Sequence, residues 1–258
     1  MLNLRTQARK IMPEVPNMPA LKDAAIATWK ARMVNEYGSS RVFEGLHQQL
    51  SKLDLSEHDL QRLRSFAEDE RRHGILCGSV VEALGGEAIA EAIPVIPFPE
   101  HPDVSTLEGA IRNLLSISCL SETIAVSLIG AERLEMPEGP LRQLLTNIYA
   151  DECAHANFGW RLLGDLIAQG DADLCTRLNQ YLQLAFKHLE THELAHLPIE
   201  AQPPKEGVQL GLCSGLDART LFYATIEQII IPALTQHGLD AKWAWETRNE
   251  AYLVQPTA

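Results

Sequence analysis

Asp69-Glu70-Arg71-Arg72-His73 and Asp151-Glu152-Cys153-Ala154-His155 are the two stretches on which the reading of this chain turns. Each contains Glu-x-x-His. In a helix, positions i and i+3 lie on one face, one turn apart, so each motif presents a carboxylate and an imidazole side by side. Both motifs interrupt apolar stripes. Around the second, Leu141, Leu145, Ile148, Glu152, His155, Gly159, Leu162 and Leu166 recur at steps of four and three, the period of a buried helix face. Around the first, Leu63, Phe66, Glu70, His73, Cys77, Val80 and Leu84 do the same.

Outward from these motifs the chain reads as helix nearly throughout. The first predicted helix runs from about residue 20 to 53. The second follows Ser56, whose spacing to Asp59 resembles a capping box, and ends near Gly85-Gly86. Prolines at 94, 97, 99 and 102 forbid helix in the link that follows. Further helices are predicted over about 106–134, 141–168, 173–196, 217–236 and 241–251, with Pro232 kinking or ending the sixth. Strand alternation is not convincing anywhere. Short turns near 55 and 137 make two antiparallel helical hairpins. The proline-rich link, about 13 residues at roughly 3.3 Å each, can span about 40 Å and cross a bundle end to end. The expected fold is therefore all-α: a four-helix bundle with a long crossover between helices 2 and 3. The division is 1–19 as an N-terminal extension, 20–170 as the bundle, and 171–258 as additional C-terminal helices of the same domain.

The other two bundle helices each carry a carboxylate on their stripe. Ile111, Leu115, Ser118, Glu122, Ala125 and Ile129 include Glu122, and Ala25, Trp29, Met33, Glu36, Ser40, Phe43, His47 and Leu50 include Glu36. Counting from the turns, Glu122, Glu152 and His155 lie about 15–18 residues away, and Glu36, Glu70 and His73 about 15–19. At 1.5 Å per residue they share a level to within about one turn. Glu44, the rival on the first helix, falls roughly 8–9 Å off that level. Four buried carboxylates without counter-charge are prohibitively costly, and two divalent ions balance them. Carboxylate oxygens with one imidazole per ion suit iron or manganese. The expected ligands are Glu36, Glu70, His73, Glu122, Glu152 and His155. Small residues near them (Gly38, Ser40, Ser118, Ser121 and Gly159) fit either a substrate space or close helix packing.

Bulk properties narrow the partners. The net charge of −12 and pI near 5.2 disfavour nucleic acid. No apolar run is seen that approaches a membrane span, and the N-terminus has no apolar signal region. Five cysteines without a CxxC argue against disulfide staples and zinc or rubredoxin sites, and fit a reducing cytoplasm.

Taken together, Glu36, Glu70-x-x-His73, Glu122 and Glu152-x-x-His155 resemble the dimetal-carboxylate members of the ferritin-like superfamily, over about residues 20–168. That resemblance implies Glu70 and Glu152 as bridging carboxylates, Glu36 and Glu122 as terminal ligands, and one histidine per metal. Asp69-Glu70-Arg71-Arg72-His73 also matches the DExRH pattern of bacterial multicomponent monooxygenases, where the Asp orients a ligand imidazole. By this resemblance Asp69 and Asp151 support the histidines, with Arg72 beside them. Ala154 departs from the pattern, and the chain is shorter than those hydroxylase subunits. Extra helices argue against a storage cage, the lack of CxxC against rubrerythrin-type peroxidases, and the acidic charge against a tRNA hydroxylase. The expectation is an oxidoreductase with two Fe ions (or Mn/Fe) and O2 as co-substrate. It would oxidise a small organic molecule by hydroxylation, N-oxygenation or desaturation. Electrons would come from an external donor, because no flavin, nicotinamide or iron–sulfur motif is present. A monomer or homodimer suits this reading. The alternative is an iron-handling ferroxidase without an organic substrate.

Other residues remain open. His188 and His192, with Glu193-x-x-His196 beyond them, are either an additional ligand group or a solvated helix end. Glu227 is either a seventh ligand or an exposed carboxylate.

Overall fold

A computed structural model describes residues 1–91 and 97–250. Its helices are, in order, α1 (Arg5–Ala8), α2 (Lys22–Leu50), α3 (Glu57–Ala83), α4 (Thr106–Leu114), α5 (Glu122–Glu135), α6 (Pro140–Ile167), α7 (Leu174–His196), α8 (Gly215–Thr225), α9 (Ile231–Gln236) and α10 (Ala241–Glu246). A π-helical segment, Leu115–Ser121, joins α4 to α5 without a break, and a second, Ile226–Ile230, joins α8 to α9. The described residues are thus helical apart from loops and one small ribbon. In it, β1 (Leu2–Asn3) pairs antiparallel with β2 (Ile89–Ala90) in the register Leu2 to Ala90. Strands of two residues are too short to show alternation, which is why none was expected.

Local chemistry sets the ends. Ser56 caps α3: its Oγ accepts from the Asp59 backbone N–H, the half of the capping box that the spacing predicts, and donates to the Asp59 carboxylate, which in a full box would instead accept from the Ser56 N–H. Ser105 caps α4 by accepting from the Glu108 N–H. Gly85, at φ +80°, ends α3 in the left-handed conformation that a side chain would strain. Pro140 opens α6, where its missing N–H is harmless. Pro232 does not end its helix. It cannot donate to the carbonyl four residues back, and the widened turn Ile226–Ile230 precedes it. Nothing comparable explains Leu115–Ser121, which contains neither proline nor glycine. The proline-rich crossover falls partly on residues 92–96, outside the described residues.

The continuous helix Thr106–Glu135 corrects one expectation. By length and composition it is apolar enough to cross a membrane. Its apolar positions produce this, and Ile111, Leu114, Leu115, Leu120 and Ile124 among them are buried. Glu108, Glu122 and Glu132 on the same helix are all buried, which marks a protein core helix better than a lipid-facing one.

The chain divides into two compact units, each drawn from separate stretches. The first comprises Met1–Pro99, Ile129–Asp151 and Gln202–Ser214. Its centre is the antiparallel pair α2 and α3. Gly74 and Gly78 let them approach, since a Cβ at Gly74 would stand 2.7 Å from that of Tyr37, and one at Gly78 would stand 3.1 Å from the Met33 sulfur. Trp29, Met33, Val80 and Val81 are fully buried there with Leu145 and Ile148 of α6. Arg32 grips the buried Glu132 with two hydrogen bonds of 2.8 and 2.7 Å, and the Trp29 indole donates to the Leu210 carbonyl at 2.8 Å.

The N-terminal stretch is tied down as well. Glu82 accepts from the Ala88 N–H and from Arg9, each at 2.7 Å, and the Leu4 N–H donates to the Ala88 carbonyl. Burial raises the Glu82 carboxyl pKa, but these donors and Arg5 outweigh it and hold the group below its ordinary value. A depressed folded pKa means stability that is present above the unfolded value of about 4.3 and lost as pH falls through the folded one. Glu82→Gln is expected to cost about 1–3 kcal/mol at pH 7. In urea titrations the gap from wild type should close as the pH is lowered toward 3.

The second unit comprises Glu100–Leu128, Glu152–Ala201 and Gly215–Ala258, of which residues up to 250 are described. Glu108, buried on α4, accepts from Arg112 (2.7 Å) and from Arg177 of α7 (2.6 Å). Tyr181 of α7 and Ser116 share a hydrogen bond of 2.7 Å. Glu190 accepts from Arg248 and Tyr223, and Phe186 meets the Trp245 ring edge-on.

Candidate metal centre

Each unit contains one carboxylate–imidazole trio. In the first, Glu36 comes from α2, and Glu70 and His73 from successive turns of α3. One ligand atom from each lies within 4.8 Å of the others. Glu70 and His73 are buried at 2% and 0% exposure, because both occupy the stripe that α3 turns inward. The His73 Nδ1 stands 3.4 Å from Glu36 Oε2. Its Nε2 stands 3.0 Å from Asp151 Oδ2. An ionised carboxylate can only accept, so the proton belongs on Nε2 and the lone pair of Nδ1 points at Glu36. Arg72 donates to Asp151 at 2.6 Å and to Asp69 at 2.8 Å. Burial raises the Asp151 pKa, but the bonds from His73 and Arg72 prevail and keep it below the usual carboxylate range. The Asp of the second motif therefore supports the histidine of the first, a crossing that linear spacing does not reveal. Asp69 meets Arg72.

In the second unit, Glu122 opens α5, and Glu152 and His155 occupy successive turns of α6. Their ligand atoms again lie within 4.8 Å of one another. The His155 Nδ1 is 3.3 Å from Glu152 Oε2 and 3.5 Å from Glu122 Oε2. All three are buried. Both trios thus have the same plan: a glutamate from one helix, Glu-x-x-His from the next, and Nδ1 turned toward carboxylate.

The donor sets fit metal. Two carboxylates beside one imidazole leave each trio about two negative charges, which one divalent ion neutralises. Donors about 2.1 Å from a common ion stand roughly 3 Å apart, close to the nitrogen–oxygen separations here. Each trio is thus a largely buried acidic and imidazole set in a helical protein, compatible with metal binding.

Other residues fall elsewhere. Glu44, the rival of Glu36, is paired with Arg71. Cys119 is buried, which pushes its thiol well above the ordinary range. A Cβ at Gly159 would lie 2.4 Å from that of Ser118, so these small residues serve close packing rather than open space. His188 and His192 are exposed on α7, and Glu227 is exposed on the segment Ile226–Ile230. The buried trios draw on inward stripes, and these three residues lie on outward faces. The π-helical segment immediately before Glu122 was not foreseen, and no residue type in it signals it. No family model matches the chain, and no curated protein is found to match it.

Proposed function

We propose that this chain is a non-haem di-iron (or Mn/Fe) oxidoreductase that activates O2 to oxidise a small organic substrate, as an oxidase or monooxygenase. The reading takes α2, α3, the helix α4–α5 and α6 as a ferritin-like bundle, with α7–α10 as additions. The observation that carries it is the repeated trio. Asp151, which holds His73 of one trio, is peptide-bonded to Glu152 of the other, and consecutive Cα atoms are about 3.8 Å apart. In this reading Glu36, Glu70, His73, Glu122, Glu152 and His155 would hold the two ions.

Iron bound by such carboxylate-rich ligands supplies one-electron and O2 chemistry. The residues do the rest. His73 presents its Nδ1 lone pair, and His155 turns Nδ1 toward Glu122 and Glu152. Asp151 fixes the His73 ring and proton. The apolar stripes above and below exclude water. Electrons come from an external donor.

Metal-free protein loaded anaerobically with Fe(II) is expected to bind two ions per chain and to develop an absorbance between 300 and 800 nm on mixing with O2. One ion or none, with no O2 response, rejects the di-iron reading. Uptake of iron well beyond two per chain, without turnover of any organic substrate, favours iron handling instead.

A further inference from the structure

We propose that His188, His192 and His196 form a second metal site on the exposed face of α7, taking one borderline divalent ion such as Cu(II), Ni(II) or Zn(II) through two imidazoles at a time. It is independent of the reading of the buried trios. The three histidines recur at four-residue steps, so their rings stack along one face. The rings of His188 and His192 are 6.1 Å apart between centroids and nearly parallel at 25°. Those of His192 and His196 are 5.0 Å apart at 64°. Two imidazoles on one ion, with metal–nitrogen distances of about 2.1 Å, place their centroids roughly 4.5–5.5 Å apart. The His192–His196 pair already has that separation. The His188–His192 pair needs only a side-chain rotation.

A second observation points the same way. His192 Nδ1 lies 3.1 Å from Glu193 Oε1. The carboxylate accepts, so Nδ1 carries the proton and the Nε2 lone pair is left to bind. This is the carboxylate–imidazole–metal relay by which ligand histidines are held. The last turn is also held in place. Arg219 donates to the carbonyls of Leu197 at 2.5 Å and Leu194 at 3.0 Å, so the helix end that carries His196 is preorganised. An all-nitrogen pair open to water selects copper, nickel or zinc, whereas the buried carboxylates select iron or manganese. The bound ion would cross-link successive turns and clip the end of α7.

The test is a Cu(II) titration of the full chain, followed by calorimetry and electron paramagnetic resonance. Wild type is expected to bind one equivalent more than His192→Gln, and that equivalent should show coupling to two imidazole nitrogens. His188→Gln should leave it intact. His196→Gln should weaken it but retain it through His188, and Glu193→Gln should weaken it roughly tenfold. The buried trios contribute equally in all these variants, since none alters them. Equal stoichiometry and identical spectra for wild type and His192→Gln, with both proteins folded by circular dichroism, would overturn the site.

Discussion

Glu152→Ala is expected to reduce anaerobic Fe(II) uptake from two ions per chain to one at most, and to abolish the O2-dependent absorbance. Glu152 Oε2 stands 3.3 Å from His155 Nδ1, and under the proposed function it would help to hold both ions. Its loss should therefore weaken both ions, whereas loss of a terminal carboxylate should weaken chiefly one. Stability separates this from simple misfolding. Saturating iron at about a hundred times its Kd adds roughly 2.7 kcal/mol to the wild-type fold. The metal-free variant loses a buried charge that sits beside other carboxylates, so its own melting temperature should hold or rise. The signature is a wild-type-like apo protein in which iron no longer raises the melting temperature. A variant that keeps two ions and full O2 reactivity removes the assignment of Glu152.

Gly159→Ala is expected to damage the centre without touching a ligand. In an ordinary helix this change is favourable by about 0.8–1.0 kcal/mol. Here the new Cβ would lie 2.4 Å from Ser118 Cβ and 2.9 Å from its carbonyl carbon. The second of these is backbone, so relief requires α6 and the segment Leu115–Ser121 to part, and overpacking of this kind costs about 1–3 kcal/mol. The clash outweighs the helix preference. The displacement also separates Glu122, one turn beyond Ser118, from Glu152 and His155, one to two turns before Gly159. A fall in melting temperature together with iron uptake reduced by about one ion is the expected result. Gly139→Ala is the control, since nothing lies within 4 Å of a Cβ there. If Gly159→Ala melts and binds iron like wild type, the close contact does not position Glu122.

Much of this arrangement was legible because its determinants are local or periodic. The spans of α2, α3, α6 and α7 follow from apolar steps of three and four, and the start of α3 from Ser56 and Asp59. Counting residues from the turns separated Glu36 from Glu44, and the two now have different partners, His73 and Arg71. What was not legible depends on contacts between distant segments or on backbone geometry without a residue signature. Asp151 reaches His73, 78 positions away, instead of the histidine of its own motif. The ribbon of Leu2–Asn3 with Ile89–Ala90 is too short to have a period. The exposure of His188, His192 and Glu227 depends on which face of each helix its neighbours leave uncovered, and isolated polar positions do not encode that.

The segment Leu115–Ser121 gives the glutamate that follows it an unusual kind of vulnerability. A π-helical turn holds one residue more than the α-helix around it, so everything downstream is rotated by about 100° from where an uninterrupted helix would carry it. The inward aim of Glu122 is thus encoded by a residue count. Point substitutions through the segment leave that count intact. Loss of one residue within the segment would remove the widened turn and leave Glu122 facing inward, whereas rewinding the same residues as regular α-helix would swing it off the core, so its aim depends on the segment keeping its widened turn at its present length.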